Sequence, residues 1–487
     1  MANQSQWNSR TAFVLSMIGA AVGLGNIWRY SYVVYSNGGG TFLIPYLIAI
    51  LIMGIPFLIM EYGVGFRHKD SYTNILKGIN PKLEYLSWIT VIIVYFVVIY
   101  YLVIVAWDLV YLGSSLNFNW GSDAALYFVK TVGGSSNLSN MGQILLPTGI
   151  AVVIIWFLVW FITHKDLNEG IGKASKILIP SLFVIMAFIV IYALTLPGAI
   201  IGLQTLLTPD WNMLLNVNIW LAAFSQIVFS LSMGESLSLT YASYLPEGSK
   251  LTDNVLLVVF ANCAFELFTA LGIFSILGYM SYTSGTPMIQ LVSEGTGLVF
   301  IVLPRIFNIM GPIGHILAPL LFIAIMFAGI TSSMAELEPM INSLRHKVDW
   351  SRRKTVTVLS ICGCMASLLF TTAISSYLIK IVDGFLTEFC IILLIILQSV
   401  IFTWLYDLES VIPILNENDL VKVGKPWVYI LKYILPIFLS FLWLSGVYGI
   451  VVNSNSFEIS IYIIIAALIL TLSYIFTNLK PKTEQKN

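Results

Sequence analysis

The sequence predicts an all-α polytopic membrane protein with twelve transmembrane helices, two of them broken in mid-membrane. Three observations predict it. The 487 residues are 58% hydrophobic and only 10% charged, far from the composition of soluble domains. Twelve apolar segments are long enough to cross a bilayer, at roughly 11–36, 41–66, 84–113, 142–163, 171–197, 218–244, 252–282, 312–344, 354–373, 377–405, 427–452 and 458–479. The first and sixth of these carry clusters that break helices. Several segments exceed the ~20 residues a spanning helix needs, which predicts tilt or extension beyond the bilayer. No separate soluble domain fits between them, so 1–487 reads as a single transmembrane domain.

The first segment is interrupted by Gly19-Ala20-Ala21-Val22-Gly23-Leu24-Gly25-Asn26. Three glycines in seven residues weaken a membrane helix, and a break there frees carbonyls that the bilayer cannot satisfy. Such backbone survives only when it is buried in protein or lines a polar cavity, where its carbonyls can bind a cation. A plainer reading is a close-packing seam, since Gly19 and Gly23 form a GxxxG pair. That reading does not account for Asn26, nor for the polar cluster Ser230-Leu231-Ser232-Met233-Gly234-Glu235-Ser236 in the sixth segment. The two breaks lie five helices apart. This spacing predicts two five-helix repeats, about 8–200 and 215–406, each opening with a broken helix (helices 1 and 6), followed by helices 11 and 12 at about 427–479. An odd number of helices per repeat inverts the second copy relative to the first.

The loops sort by charge. Arg67, Lys69, Lys77 and Lys82 share one loop, Lys165, Lys173 and Lys176 a second, and Arg345, Lys347, Arg352, Arg353 and Lys354 a third. The tail adds Lys480, Lys482 and Lys486, whereas the long loops 114–141 and 283–311 hold only Lys130 and Arg305. The positive-inside rule then predicts that both termini are cytoplasmic. The first segment has no Ala-x-Ala cleavage signal, so no removable signal peptide is expected. Zero net charge gives no electrostatic case for nucleic acid. The four cysteines, Cys263, Cys362, Cys364 and Cys390, lie in apolar segments and read as structural thiols. The four histidines are scattered and suggest no metal cluster.

Trp7, the run from Gly19 to Arg29 and Asn37-Gly38-Gly39-Gly40 resemble the neurotransmitter:sodium symporter family. Leu239-Thr240-Tyr241-Ala242-Ser243-Tyr244 and Phe327-Ala328-Gly329-Ile330-Thr331-Ser332-Ser333 carry the same resemblance, which covers nearly the whole chain and points to the bacterial amino-acid branch. It implies a sodium-coupled symporter that imports amino acids by alternating access, not an enzyme, in the cell membrane. The implied partners are an amino-acid substrate, two sodium ions and the lipid bilayer, with room for a homo-oligomer.

The resemblance also implies roles for particular residues. The first sodium site would use the Ala21 carbonyl, Asn26, Ser230 and Asn262, completed by the substrate carboxylate. The second would use the Gly19, Val22 and Ala328 carbonyls with the hydroxyls of Thr331 and Ser332. Oxygen-only ligands suit a hard cation. The substrate backbone would be held at Ala20, Ala21, Leu24, Gly25 and Ser230, near the free N–H groups of a half-helix, with the Tyr101 hydroxyl added. Tyr101 also reads as an ordinary interfacial tyrosine, since Tyr95 and Tyr100 are close in sequence. Glu61 would brace the breaks by accepting backbone donors. Glu266, four residues after Asn262, takes the place of a bound chloride near Tyr46, Gln226 and Ser230, which implies chloride-independent transport and a proton carrier.

The side chain of the substrate would meet Val97, Phe229, Ser232, Glu235, Ser332 and Glu336. Two glutamates in this pocket depart from the apolar residues of the branch. Two acids in one dry pocket need a cation or a proton, so the sequence predicts a cationic amino acid such as lysine, ornithine or arginine. The competing expectations are a neutral amino acid, with the acids turned aside or protonated, and a non-transporting amino-acid sensor on the same fold. Arg29 and Asp383 match the outer ionic gate, with Phe229 and Tyr101 as its lid. The inner gate departs from the family, with Gln4 and His346 where an arginine–aspartate pair is expected. Trp7 is retained.

Overall fold

The computed structural model describes residues 6–292 and 295–479. Among them there is no strand, only two isolated bridges, Gly39 to Pro209 and Ile144 to Thr372. The first span is a bent pair, α1 (Arg10–Ala21) and α2 (Leu24–Ser36), with 50° between the halves. Spans two to five are α3 (Gly40–His68), α4 (Leu83–Ser115), α5 (Leu146–Thr163) and α6 (Asn168–Leu194). The sixth is again split, into α7 (Val217–Ser230) and α8 (Leu237–Ser243). Then follow α9 (Thr252–Ser284), α10 (Gly311–Val348), the short α11 (Arg352–Leu368), α12 (Ser375–Leu405), α13 (Lys425–Asn453) and α14 (Ser456–Asn478). With each broken pair counted once, these fourteen helices line up with the twelve expected segments; among the described residues nine helices are long and apolar enough to cross a membrane, or ten with the bent first pair, and both predicted breaks are present.

The loops are less plain than their composition suggested. Segments 114–141 and 283–311 contain the short helices Ala124–Tyr127, Met288–Leu291 and Leu303–Ile309. Helix Ala199–Leu207 lies flat against α9, and backbone contact requires glycine there: a Cβ on Gly202 would stand 1.7 Å from the Phe274 carbonyl oxygen. Charge and length mark a loop, but they do not reveal a glycine fitted to a distant helix.

α4 and α10 form the central pair. In its most apolar stretch α4 is 78% buried, whereas α13 and α14 are 17% buried and turn Phe441, Ile463 and their neighbours outward, toward lipid. Helices in a bilayer gain little from hiding apolar surface, so close packing and polar ties must hold them together. The Lys- and Arg-rich end of the bundle carries several such ties. Lys347 Nζ donates to Glu84 Oε1 (2.7 Å) and to the Thr477 carbonyl at the end of α14 (2.9 Å). Trp7 Nε1 donates to the Tyr241 carbonyl (3.0 Å), and its ring packs edge-on against Tyr241.

The start of α9 is joined to the loop before α13 by a reciprocal cap. The buried Asp419 carboxylate accepts from the Leu251 and Asp253 N–H groups (3.0 and 2.8 Å). The Asp253 carboxylate returns the contact by accepting from Leu420 N–H (3.0 Å). Asp419→Ala should therefore cost about 1–2 kcal/mol, the usual worth of a helix cap, and Asp419→Asn less. The check is the thermal midpoint of the purified protein in detergent. An unchanged midpoint for the alanine variant would show that this contact does not hold the loop.

Candidate functional site

The first break is made by the loss of helical geometry at Val22 (ψ 88°) and Gly23 (φ −112°, ψ −165°). The carbonyl end of α1 and the N–H end of α2 therefore meet at mid-bundle, one partly negative and the other partly positive. Asn26 caps α2, its Oδ1 accepting from Gly23 N–H at 2.8 Å, while the Ala21 carbonyl accepts from the same N–H at 3.0 Å. Tyr101 Oη stands at the Leu24 N–H (3.1 Å), so this tyrosine faces the break and not lipid. Gly23 lets α4 and α10 reach in: a Cβ there would meet Ser332 Oγ at 2.9 Å and Tyr101 Oη at 3.0 Å. Gly25 does the same for α7, since its Cβ would lie 2.2 Å from the Phe229 ring.

The second break is more contorted. Ser232, Gly234 and Ser236 all have left-handed backbone, with φ of 47°, 75° and 57°. For the two serines this costs on the order of 1 kcal/mol each, strain of the kind that persists at functional sites. Below the break, three predicted sodium ligands converge. Asn26 Nδ2 donates to Asn262 Oδ1 (2.8 Å), and Asn262 Nδ2 donates to Ser230 Oγ (2.5 Å). Glu266 closes the network, accepting from Asn26 Nδ2 (3.2 Å), Gln226 Nε2 (2.8 Å) and the Tyr46 hydroxyl. Thr269, one turn beyond Glu266, donates to the Asn26 carbonyl (3.1 Å). The sequence reading missed Thr269, although its spacing of seven from Asn262 puts it on the same helix face.

On the other side of α1, Ser332 Oγ lies 3.2 Å from both the Gly19 and the Ala20 carbonyls. Thr331 Oγ1 bonds the Ala328 carbonyl (3.0 Å), and the Thr331 Cβ lies 3.1 Å from where a Cβ on Gly19 would be. Gly19, Ala328, Thr331 and Ser332 thus gather in one place, with Val22 in the break beside them. Val97, one turn before Tyr101 on α4, is buried.

Glu235 sits in the second break and Glu336 on α10, one turn after Ser332; they are 8% and 7% exposed. Both lie within electrostatic range of Tyr100 and Tyr101 of α4, and Glu336 lies within range of Glu235. The Oε2 of each is enclosed and has no hydrogen-bond partner among the described residues. Neither glutamate turns out to lipid. Glu338, by contrast, is fully spoken for: Arg352 grips it with two bonds (2.6 and 2.8 Å), and Tyr244 Oη adds a third (3.0 Å).

The Arg29 guanidinium lies 4.4 Å from the Phe229 ring centre and donates to Ser225 Oγ (3.3 Å). Asp383 accepts from Tyr100 Oη (2.6 Å), a contact the sequence reading did not include. Glu61 was expected to accept backbone donors at the breaks; among the described residues it accepts from the Gln398 side chain on α12 (2.8 Å), with Ser238, next to the second break, beside it. At the inner end His346 Nδ1 lies 3.3 Å from Asp70. Gln4 lies outside the described residues.

Two broken spans that face each other across a buried polar centre define a membrane transporter with alternating, discontinuous helices. The chain belongs to the sodium:neurotransmitter symporter family, whose model matches residues 4–130 and 118–477. It is 35% identical over 480 residues to an uncharacterised sodium-dependent transporter of Methanocaldococcus jannaschii, covering 98% of each chain. It is 26% identical over 463 residues to the sodium- and chloride-dependent GABA transporter 2 of Homo sapiens, covering 87% of this chain and 76% of that one. Its fold matches the crystal structure of MhsT in complex with L-phenylalanine, with a TM-score of 0.77, 28% identity, and coverage of 91% of this chain and 100% of the other. The family is one of sodium-coupled transporters, so the protein is a multi-pass sodium-coupled carrier and not an enzyme.

Proposed function

We propose that this carrier imports cationic amino acids with sodium by alternating access, without chloride. The observation that carries the substrate class is the pair Glu235 and Glu336, both enclosed and each with an unpartnered oxygen. A lysine, ornithine or arginine side chain would satisfy them; an apolar one would leave two acids stranded in a dry pocket. The amino-acid backbone would lie between Ala20, Ala21, Leu24, Gly25 and Tyr101, with Ser230 and Ser232 from the other break. One sodium would sit among Ala21, Asn26, Ser230 and Asn262, the second among Gly19, Val22, Ala328, Thr331 and Ser332. The network of Asn26, Gln226 and Tyr46 around Glu266 supports a fixed carboxylate in place of chloride. Arg29, Phe229, Tyr101 and Asp383 would close the outer side.

The substrate carboxylate would complete the first sodium site, so sodium and substrate would strengthen each other's binding equally. Each sodium moving inward would add about 2.3 kcal/mol per 100 mV of membrane potential. The loop charges support cytoplasmic termini in a plasma membrane, and the two breaks support the repeats at about 8–200 and 215–406 within one domain. A homo-oligomer is compatible with the wide apolar face of α13 and α14.

The test is binding of the twenty amino acids and ornithine to purified protein, read by thermal shift, in sodium or potassium and in chloride or gluconate. We expect sodium-dependent, chloride-indifferent shifts led by lysine, arginine or ornithine. Shifts led by a neutral amino acid would discard the cationic pocket and keep the symporter; L-phenylalanine in the MhsT complex is the observation that favours this second reading. Loss of binding in gluconate would overturn chloride independence.

A further inference from the structure

We propose that a cationic substrate enters by exchange with a proton held between Glu235 and Glu336, so that the pocket never carries two bare carboxylates. This rests on the cationic reading above and adds a second ion to the cycle.

The argument starts from enclosure. Glu235 comes from the strained break, with left-handed Gly234 and Ser236 on either side, and Glu336 from the centre of α10. Both are more than nine-tenths buried, and the Oε2 of each has no donor among the described residues. Among the described residues, the titratable groups beside them are phenols and acids, and the Arg29 guanidinium lies over Phe229 and acts on Asp383. α4 presents Tyr100 and Tyr101, both in electrostatic contact with the two acids. α3 presents Glu61, another acid, which is in reach of Glu235. From α12, Asp383 is engaged by Tyr100.

Two carboxylates in such a place cannot both stay charged when alone. In the proposed empty state each acid carries one proton, so that both are neutral. A bound lysine brings one positive charge, which balances one carboxylate. One O–H then gives its proton to outside water, the freed carboxylate accepts from the substrate ammonium, and the second proton stays between the acids. Net charge in the pocket is zero before and after, so the carrier can return empty without dragging charge through the bilayer. A neutral substrate would displace no proton.

The signature is a linkage between lysine and pH. If binding releases one proton, lysine affinity at saturating sodium should rise about tenfold per pH unit across about pH 5 to 8. A neutral amino acid bound by the same protein should show no such slope beyond whatever Glu266 contributes. Glu266 affects both ligands alike, so the difference between the two slopes isolates the pocket. Lysine added to weakly buffered, sodium-saturated protein with an indicator dye should release about one proton per site. The double variant E235Q/E336Q should bind neutral amino acids in sodium, lose most lysine affinity, and release none. Lysine that binds with the same pH slope as a neutral amino acid, releasing no proton, would overturn the exchange while leaving the cationic pocket standing. Protein that binds neutral amino acids in sodium but not lysine would overturn both. The wild-type measurements decide the matter even if the double variant fails to fold.

Discussion

Changing Arg352 to methionine is expected to destabilise the protein by about 3–5 kcal/mol, the range seen when a buried ion pair loses one partner. Arg352 is 6% exposed and Glu338 is fully enclosed. The guanidinium meets both carboxylate oxygens, at 2.6 and 2.8 Å, and its Nε reaches the carbonyls of Thr163 and Lys165 at 3.1 and 2.8 Å. One side chain therefore ties α10, α11 and the turn after α5, and through Tyr244 the end of α8. Without it, a buried carboxylate would keep a single phenol donor and two carbonyls would lose theirs. The double change R352M/E338L removes both charges and should recover most of the loss, because the attraction of such a pair barely exceeds its desolvation. Thermal and denaturant unfolding of both variants in detergent would show it. A single variant within 1 kcal/mol of wild type would mean that water already reaches this end of the bundle.

The second large effect is expected at Asn26. Asn26→Ala should weaken sodium-dependent substrate binding at least about 100-fold, since two contacts to a charged ligand set are each worth about 1.5–3 kcal/mol. Asn26 performs three tasks with one carboxamide. It caps α2 at Gly23, holds Asn262, and donates to Glu266, at 2.8, 2.8 and 3.2 Å. Loss of the cap alone costs about 1 kcal/mol, so the variant should still fold. Sodium titration of substrate binding on folded protein is the measurement. A normal sodium midpoint would remove Asn26 from the ion site.

Much of this was legible in one dimension. Glycines and serines amid apolar residues mark where a membrane helix cannot continue, and that is a local property of the backbone. The i, i+4 spacing of Asn262 and Glu266, and of Ser332 and Glu336, placed each pair on one face. Partners across helices were harder. Tyr100 and Tyr101 are adjacent in sequence but about 100° apart around α4, and sequence does not say which of them meets Asp383 and which meets Leu24. Glu61 was expected to brace backbone and, among the described residues, accepts from Gln398, 337 positions away. Arg352 read as one positive charge among several at a loop; only its burial against Glu338 makes it structural.

By itself, then, the sequence determined the number of spans, the two points where they break, the orientation expected from the loops and the chemical types gathered at the centre. These follow from hydrophobicity, helix propensity and charge, which each residue carries wherever it sits. The tertiary structure decided which carboxylates are paired and which are not. Glu338 and Glu336 lie two positions apart on the same helix, yet one is gripped by Arg352 and the other keeps an enclosed oxygen with no hydrogen-bond partner among the described residues. That difference comes from what the neighbouring helices present at each angle of α10, and helix packing alone sets it.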